Sequence, residues 1–307
     1  MSTARAVVFA YHDVGVRCLK ALISAGIDVP LVVTVQDDPN EMQWYASVAA
    51  TAADYGLNVA APAEANTPEL AARVSALQPD FLFSFYYRSM LGAALLRAAR
   101  RGALNMHGSL LPKFRGRAPV NWAILKGARE TGATLHYMVE RADAGDIVDQ
   151  QSVPILQDDD AREVSAKVTV AAESVLVRSL PGLIAGTAPR KPQPSEPGKY
   201  FGRRRPEDGR IDWTRPALAI HNLVRAVAPP FPGAFGQVAG ERWEIHRTRI
   251  VARSAAGQGP RLFGADGECY AACGDGGVLQ LLSAADSRGP LDLKRLAATL
   301  AQRPVPL

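Results

Sequence analysis

Apolar residues in the first 110 positions fall into short runs, separated by stretches whose apolar positions recur at helical spacing. AVVFA (6–10) is apolar at every position, which predicts a strand buried on both faces. VGVRCLKALISAG (14–26) then reads as an amphipathic helix, with Asp13 placed to cap it. VPLVVTV (29–35) is a second strand, EMQWYASVAATAADYG (41–56) a second helix and LNVAAP (57–62) a short strand. TPELAARVSALQ (67–78) predicts a third helix with Pro68 in its first turn. DFLFSFYY (80–87) and ALNMH (103–107) are expected as strands around a helix at 91–100. Strands apolar on both faces in a β-α-β-α series predict an α/β fold, a parallel sheet covered on both sides.

Beyond residue 130 the pattern changes twice. GATLHYMVE (132–140) and IVDQQSVPI (147–155) are expected as strands joined by the short segment RADAGD, and a long helical pattern follows from about 161 to 183. GTAPRKPQPSEPGKY (186–200) holds four prolines and no apolar periodicity, and reads as a linker crossing the surface. Past it, a helical stretch at 216–229 precedes short strand-like pieces separated by glycines, among them AFGQVAG, RWEIHRTRIV, ECYAACGDGG and VLQLLSAA. That spacing predicts a small β-barrel. The expected organisation is an α/β domain over 1–190, a linker over 191–203 and a smaller barrel over 204–307, with the boundary within about ten residues of Gly198.

Composition narrows the class. Of 307 residues, 48% are hydrophobic and 21% charged, and no apolar run approaches the roughly 20 residues of a membrane-spanning helix. The start, MSTARAVVFAYHD, lacks the basic segment and long apolar run of an export signal, so a cytoplasmic location is expected, without membrane insertion. Cys18, Cys269 and Cys273 suit a reducing compartment, and Cys269 and Cys273 have no zinc-spaced partner pair, so no metal is expected. A net charge of +5 fits a polyanion, a phosphate-bearing small substrate or a plain basic surface equally well.

The chemistry that a doubly covered sheet first brings to mind is absent. The turn after the first strand, FAYHDVGVRCLK, offers only Gly15 where a dinucleotide fingerprint needs three glycines. The candidate chemistry lies instead at ALNMHGSLLPKFRGRAPVNW (103–122). Asn105 and His107 are two apart on a strand and share a face, at the strand end where open sheets bind ligands. An amide can donate to a developing oxyanion, and an imidazole can move a proton near pH 7. Asp143, with Asp146 as a second candidate, sits in a glycine-bounded loop and could hold one imidazole tautomer and favour its charged form. A solvent-facing histidine and a turn aspartate fit the same pattern. Lys113, Arg115 and Arg117 read either as cations for an anionic substrate or as a solvated loop, and Pro112 and Gly116 suggest that this loop can close. His12, His136, His221 and His246 have no evident partners and read as structural.

NMHGSLLPKFRGRAPVNWAILKG, TGATLHYMVERADAGDIV and YFGRRRPEDGRIDW together resemble the formyltransferases that use 10-formyltetrahydrofolate, over essentially the whole chain. The resemblance implies a Rossmann-like N-terminal domain and a C-terminal OB-like barrel. It assigns catalysis to Asn105, His107 and Asp143, and folate binding to Ser89, Met90, Leu91, Arg117, Val139, Glu140, Arg141 and Ala142. It also implies 10-formyltetrahydrofolate as cosubstrate. RGRAPVNW is similar to the branch acting on UDP-linked 4-amino sugars, UDP-4-amino-4-deoxy-L-arabinose in lipid A modification and polymyxin resistance, rather than to the methionyl-tRNA branch. Some members of that branch carry a second, decarboxylase half; with the chain ending at Leu307, a stand-alone formyltransferase is expected. Tyr200 could stack on the nucleotide base and Arg204 meet its phosphates. The reading of a different class, a non-catalytic nucleotide- or nucleic-acid-binding module, gives no reason for Asn105, His107 and Asp143 to occur together.

Overall fold

The apolar runs of the N-terminal half become the strands of one sheet. The computed structural model describes residues 4–36, 43–194, 199–257 and 259–307. In order come β1 (Arg5–Ala10), α1 (His12–Ser24), β2 (Asp28–Val33), α2 (Val48–Asp54), β3 (Val59–Ala60) and α3 (Pro68–Ala76). They are followed by β4 (Phe81–Phe85), α4 (Ala93–Ala98), β5 (Gly102–His107), β6 (Arg115–Gly116), α5 (Pro119–Leu125), β7 (Glu130–Tyr137), β8 (Ile147–Pro154), α6 (Ala161–Ala185) and β9 (Tyr200–Phe201). Among the described residues, seven strands form the main sheet in the order β3-β2-β1-β4-β5-β7-β8, and β6 pairs with β9. The expectation of a parallel sheet holds from β3 to β5 and fails beyond it: β7 runs antiparallel to β5, and β8 antiparallel to β7. For β8 the reason is local, since β7 and β8 are joined by a short hairpin loop with no crossover helix.

Burial explains the central strands. Val7, Val8, Phe9, Leu82, Phe83, Phe85 and Leu104 are fully enclosed on both faces of the sheet. Each large side chain so buried stabilises the fold by roughly 1.5–3 kcal/mol before entropy is counted. Helix α1 turns Val14, Cys18 and Leu22 inward at four-residue spacing. Its expected cap is not observed: the N-cap residue is Tyr11, without a side-chain cap, and the Asp13 carboxylate accepts from the Ala46 amide instead. Thr67 does cap α3, with Pro68 at its start. The helix expected at 41–56 is described from Val48 to Asp54; residues 41 and 42 lie outside the described residues. Helix α6 has the length and mean hydropathy of a membrane span, contrary to the expectation from uninterrupted apolar runs. Its Val164, Val168, Val175, Leu176, Leu180 and Leu183 are buried, as in a core helix.

The chain divides into two units. One comprises the described residues within 1–119, 130–154 and 166–201, the other those within 120–129, 155–165 and 202–307. Gly198, where the boundary was expected, lies outside the described residues. The second unit adds α7 (Ala217–Ala226), β10 (Ala234–Val238), β11 (Glu241–Ser254), β12 (Arg261–Ala265), β13 (Glu268–Ala272), β14 (Gly277–Asp286), β15 (Gly289–Pro290), α8 (Leu293–Gln302) and β16 (Val305–Pro306). Its antiparallel sheet runs β10-β11-β14-β13-β12-β16. The long β11 pairs with both β10 and β14 and changes register between Ile245 and Thr248, which curls the sheet into an OB-like half-barrel. Trp213, Ile220, Val224, Trp243, Ile245, Leu262, Leu279 and Leu300 fill its core. Cys269 and Cys273 are buried free thiols, pushed up to about 11 and about 12 by burial. His221, for which the sequence offers no evident partner, has two: Nε2 donates to the Gln157 carbonyl and Nδ1 accepts from the Thr248 hydroxyl.

Candidate active site

The carboxyl ends of β4 and β5 open into a cavity of about 280 Å³, lined by residues of the N-terminal unit alone. Open α/β sheets place ligands there because the loops diverge beyond the strand ends. Asn105 and His107, at the end of β5, both face this cavity, and so does Asp143 from the loop between β7 and β8. Of the two aspartates considered, Asp143 is the one beside the imidazole: its Oδ1 lies 3.5 Å from His107 Nδ1. Asp143 adopts φ +52°, a left-handed conformation that aspartate tolerates better than most residues. Its Oδ2 accepts from the Gly116 amide at 2.8 Å.

The structure adds a residue that the sequence reading left as structural. His136, on β7, lies directly opposite Asn105 in the antiparallel pairing, so both side chains share the cavity face. Its Nε2 is 3.1 Å from Asn105 Nδ2, and its Nδ1 is 2.8 Å from the Tyr137 carbonyl. Its Nε2 also lies 3.7 Å from Asp143 Oδ1. Burial lowers His136 to about 4, against the opposing pull of Asp143, so the ring is neutral at pH 7. The register was the missing signal: TLHYM places a histidine across from Asn105 only once β5 and β7 are known to pair antiparallel.

His107 is more occupied than expected. Its Nε2 donates to the Phe114 carbonyl at 3.0 Å, while Nδ1 faces Asp143. The side chain is buried. Both nitrogens therefore face acceptors, and a proton gained by the ring would be held on both sides.

The loop after β5 places its three cations in three different surroundings. Arg117 lines the cavity. Lys113 is exposed, and its carbonyl accepts from Ser109 Oγ. Arg115, expected beside Lys113 and Arg117 as a substrate-facing or solvated cation, is buried and donates to Gln193 Oε1 at 2.6 Å. Gln193 in turn donates to the carbonyls of Asp143 and Gly145. Gly116 pairs with Phe201 across β6 and β9, and a Cβ there would overlap the Phe201 carbonyl. The loop is thus tied at Gly116 to both Asp143 and β9.

Ser89, Met90, Leu91, Val139 and Ala142 line the same cavity, and Met90 and Val139 present exposed apolar surface. Glu140 and Arg141 do not line it; they lie exposed on the outer part of the loop, where β7 has ended and strand alternation no longer directs side chains inward. Tyr200, half exposed, lines the cavity as well. Arg204 belongs to the other unit, where its guanidinium lies 5.1 Å from the Trp122 ring and donates to the Asp208 carbonyl. Among the described residues no three His, Cys, Asp or Glu side chains converge as a metal site.

Known proteins match this arrangement over most of its length. The family model described as formyl transferase matches residues 4–180, and that of the formyl transferase C-terminal domain matches 204–299. An N-formyltransferase from Helicobacter canadensis, solved with folinic acid and dTDP-3-aminofucose, superposes with a TM-score of 0.72 at 19% identity, covering 91% of this chain and 99% of its own. The sugar 3N-formyl transferase WlaRD, solved with dTDP and 5-N-formyl-THF, gives 0.71 at 18%, covering 95% and 99%. A sugar N-formyltransferase from a Shewanella species gives 0.64 at 17%, covering 82% and 99%. At these identities the solved structures establish the fold, and the two family matches establish more: the chain belongs to the formyl transferase family.

Proposed function

We propose that the protein transfers a formyl group from 10-formyltetrahydrofolate to the 4-amino group of UDP-4-amino-4-deoxy-L-arabinose, as a cytoplasmic step of lipid A modification. The observation that carries this reading is the convergence of Asn105, His107 and Asp143 on one cavity that Ser89, Met90, Leu91 and Arg117 also line. The relatives solved with folate derivatives and dTDP-linked ligands support the pairing of a folate with a nucleotide sugar. The apolar surface of Met90, Leu91 and Val139 suits a flat pterin edge, and Arg117 suits an anionic tail or a phosphate.

When the folate is bound, the sugar amine would attack its formyl carbon and form the new C–N bond, the bond from that carbon to folate N10 would break, and N10 would leave with the proton that the amine gives up. Asn105 donates an amide N–H to the formyl oxygen as charge builds on it. His107 gives its Nε2–H to the Phe114 carbonyl, so it takes up the proton lost by the amine, and with it positive charge, at Nδ1 beside Asp143. Asp143 keeps the ring in place and balances that charge. Tyr200, which lines the cavity, offers a ring face for the nucleotide base.

Incubation with 10-formyltetrahydrofolate and either UDP-4-amino-4-deoxy-L-arabinose, a dTDP-linked amino hexose or methionyl initiator tRNA, with the product identified by mass, tests the reading. Formylation of the UDP-pentose at the highest kcat/KM is expected. Preference for the dTDP sugar would overturn the choice of acceptor, and formylation of the tRNA alone would overturn the sugar reading altogether.

A further inference from the structure

We propose that His136 is a positioning residue that fixes which end of the Asn105 carboxamide faces the reacting carbonyl. The inference rests on the proposed formyl transfer and concerns the orientation of a group that shape alone leaves undecided. A carboxamide turned by 180° fills the same volume, yet it presents a carbonyl oxygen where a donor is required.

The chain of partners settles the orientation. The Tyr137 carbonyl can only accept, so His136 Nδ1, 2.8 Å away, carries the proton. The ring is almost fully enclosed and neutral, and it has one proton to place. Nε2 is therefore an acceptor, and the group 3.1 Å from it must be a donor: the Asn105 amide nitrogen. In the turned orientation Asn105 Oδ1 would meet the Nε2 lone pair, with two acceptors in contact inside a buried site. The second amide N–H of Asn105 stays available to the cavity that both residues line.

The groups around His136 agree with this assignment. Asp143 Oδ1, at 3.7 Å from Nε2, lies beyond hydrogen-bond reach and leaves that lone pair to Asn105. Arg115 and His107 both oppose protonation of the ring. An imidazolium at 136 would donate from both nitrogens and drive the amide round.

The test joins kinetics to a direct reading of the tautomer. His136→Leu, which has no acceptor, is expected to lower kcat by about 10²-fold, the scale of a lost oxyanion donor, with folate KM changed less than about threefold. His136→Gln can accept from Asn105 and donate to Tyr137, and is expected to recover most of the loss. In an Asn105→Ala background His136→Leu should cost nothing further, because it acts through Asn105. An equal loss in both backgrounds, or a folded His136→Gln as inactive as the leucine variant, would overturn the proposal.

Nitrogen NMR of ring-labelled wild-type protein, with the signal assigned by its absence in His136→Gln, gives a readout independent of turnover. A protonated Nδ1 and bare Nε2 at pH 7 are expected; a protonated Nε2 overturns the positioning role. An absence of formyl transfer in the wild type, with the expected tautomer present, would overturn the proposed reaction and not the geometry.

Discussion

A carboxamide and an imidazole two residues apart were visible in ALNMH from the outset, and their shared face follows from the two-residue repeat of a strand. Asn105→Ala is expected to lower kcat by about 10²- to 10³-fold with the melting temperature little changed. Asn105→Asp should be no better, because it replaces the donor by an anion facing a developing oxyanion. Product formation under saturating substrate checks both, and turnover within a few-fold of wild type in either would remove Asn105 from the mechanism. What the residues alone did not reveal was which neighbours occupy them. His107 Nε2 is engaged by Phe114, seven residues on, through a turn in which Phe114 has φ +55°. His136 became a site residue only through strand pairing. Single positions announce their chemistry, whereas their partners depend on register.

Elements were legible in proportion to their burial. The enclosed strands β1, β2, β4 and β5 carry runs that only a covered sheet explains, and the sequence reading placed each within a few residues. Helix α8 was missed although Leu293, Leu296, Ala297 and Leu300 keep helical spacing; the glycine-punctuated stretch before it draws attention to strands. The antiparallel turn at β7 was hidden because a fully buried strand looks the same in either direction. The hairpin that follows depends on a close approach at Gly145, where a Cβ would overlap the Tyr137 carbonyl. Gly145→Ala should therefore destabilise the protein by about 1–3 kcal/mol, seen as a lowered melting temperature, and should displace Asp143 with it. An unchanged melting temperature would show that the loop relaxes freely. Gln193→Ala tests the other support of that loop. Losing two bonds to the Asp143 and Gly145 carbonyls is expected to reduce kcat several-fold while folate binding is kept, and unchanged kcat would show the support to be dispensable.

At the scale of the molecule, buried histidines set the response to acid. His12 and His136 are both lowered to about 4 by burial, and His221 is lowered from its ordinary value for the same reason. The folded state thus refuses protons that the unfolded chain binds below about pH 6.5. Stability is fully present above that pH and falls as pH drops from about 6.5 toward 4, by up to ~1.4 kcal/mol per pH unit for each histidine so held. Thermal melts between pH 7 and pH 4.5 should show this decline, with a shallower slope in His136→Gln. A flat profile would mean that these rings gain protons without cost in the fold. The composition gave no hint of this behaviour, since five histidines are unremarkable in number and only their enclosure matters.

Described residues of the proline-rich stretch after α6, which reads from its composition as a linker, hold back onto the N-terminal unit. Lys191 and Ile147 exchange backbone hydrogen bonds, Gln193 holds the Asp143 loop, and the Phe201 carbonyl accepts from the Arg117 amide. Lys191, Gln193 and Phe201 fall in the interval between the two family matches, which end at 180 and resume at 204. A chimera that exchanged C-terminal domains between relatives at the edge of the first match would keep every strand of the main sheet. It would nonetheless replace Lys191, Gln193 and Phe201, which hold the Asp143 loop and the segment after β5. The workable seam for such grafting lies past Phe201, so this stretch travels with the catalytic half as a part of it.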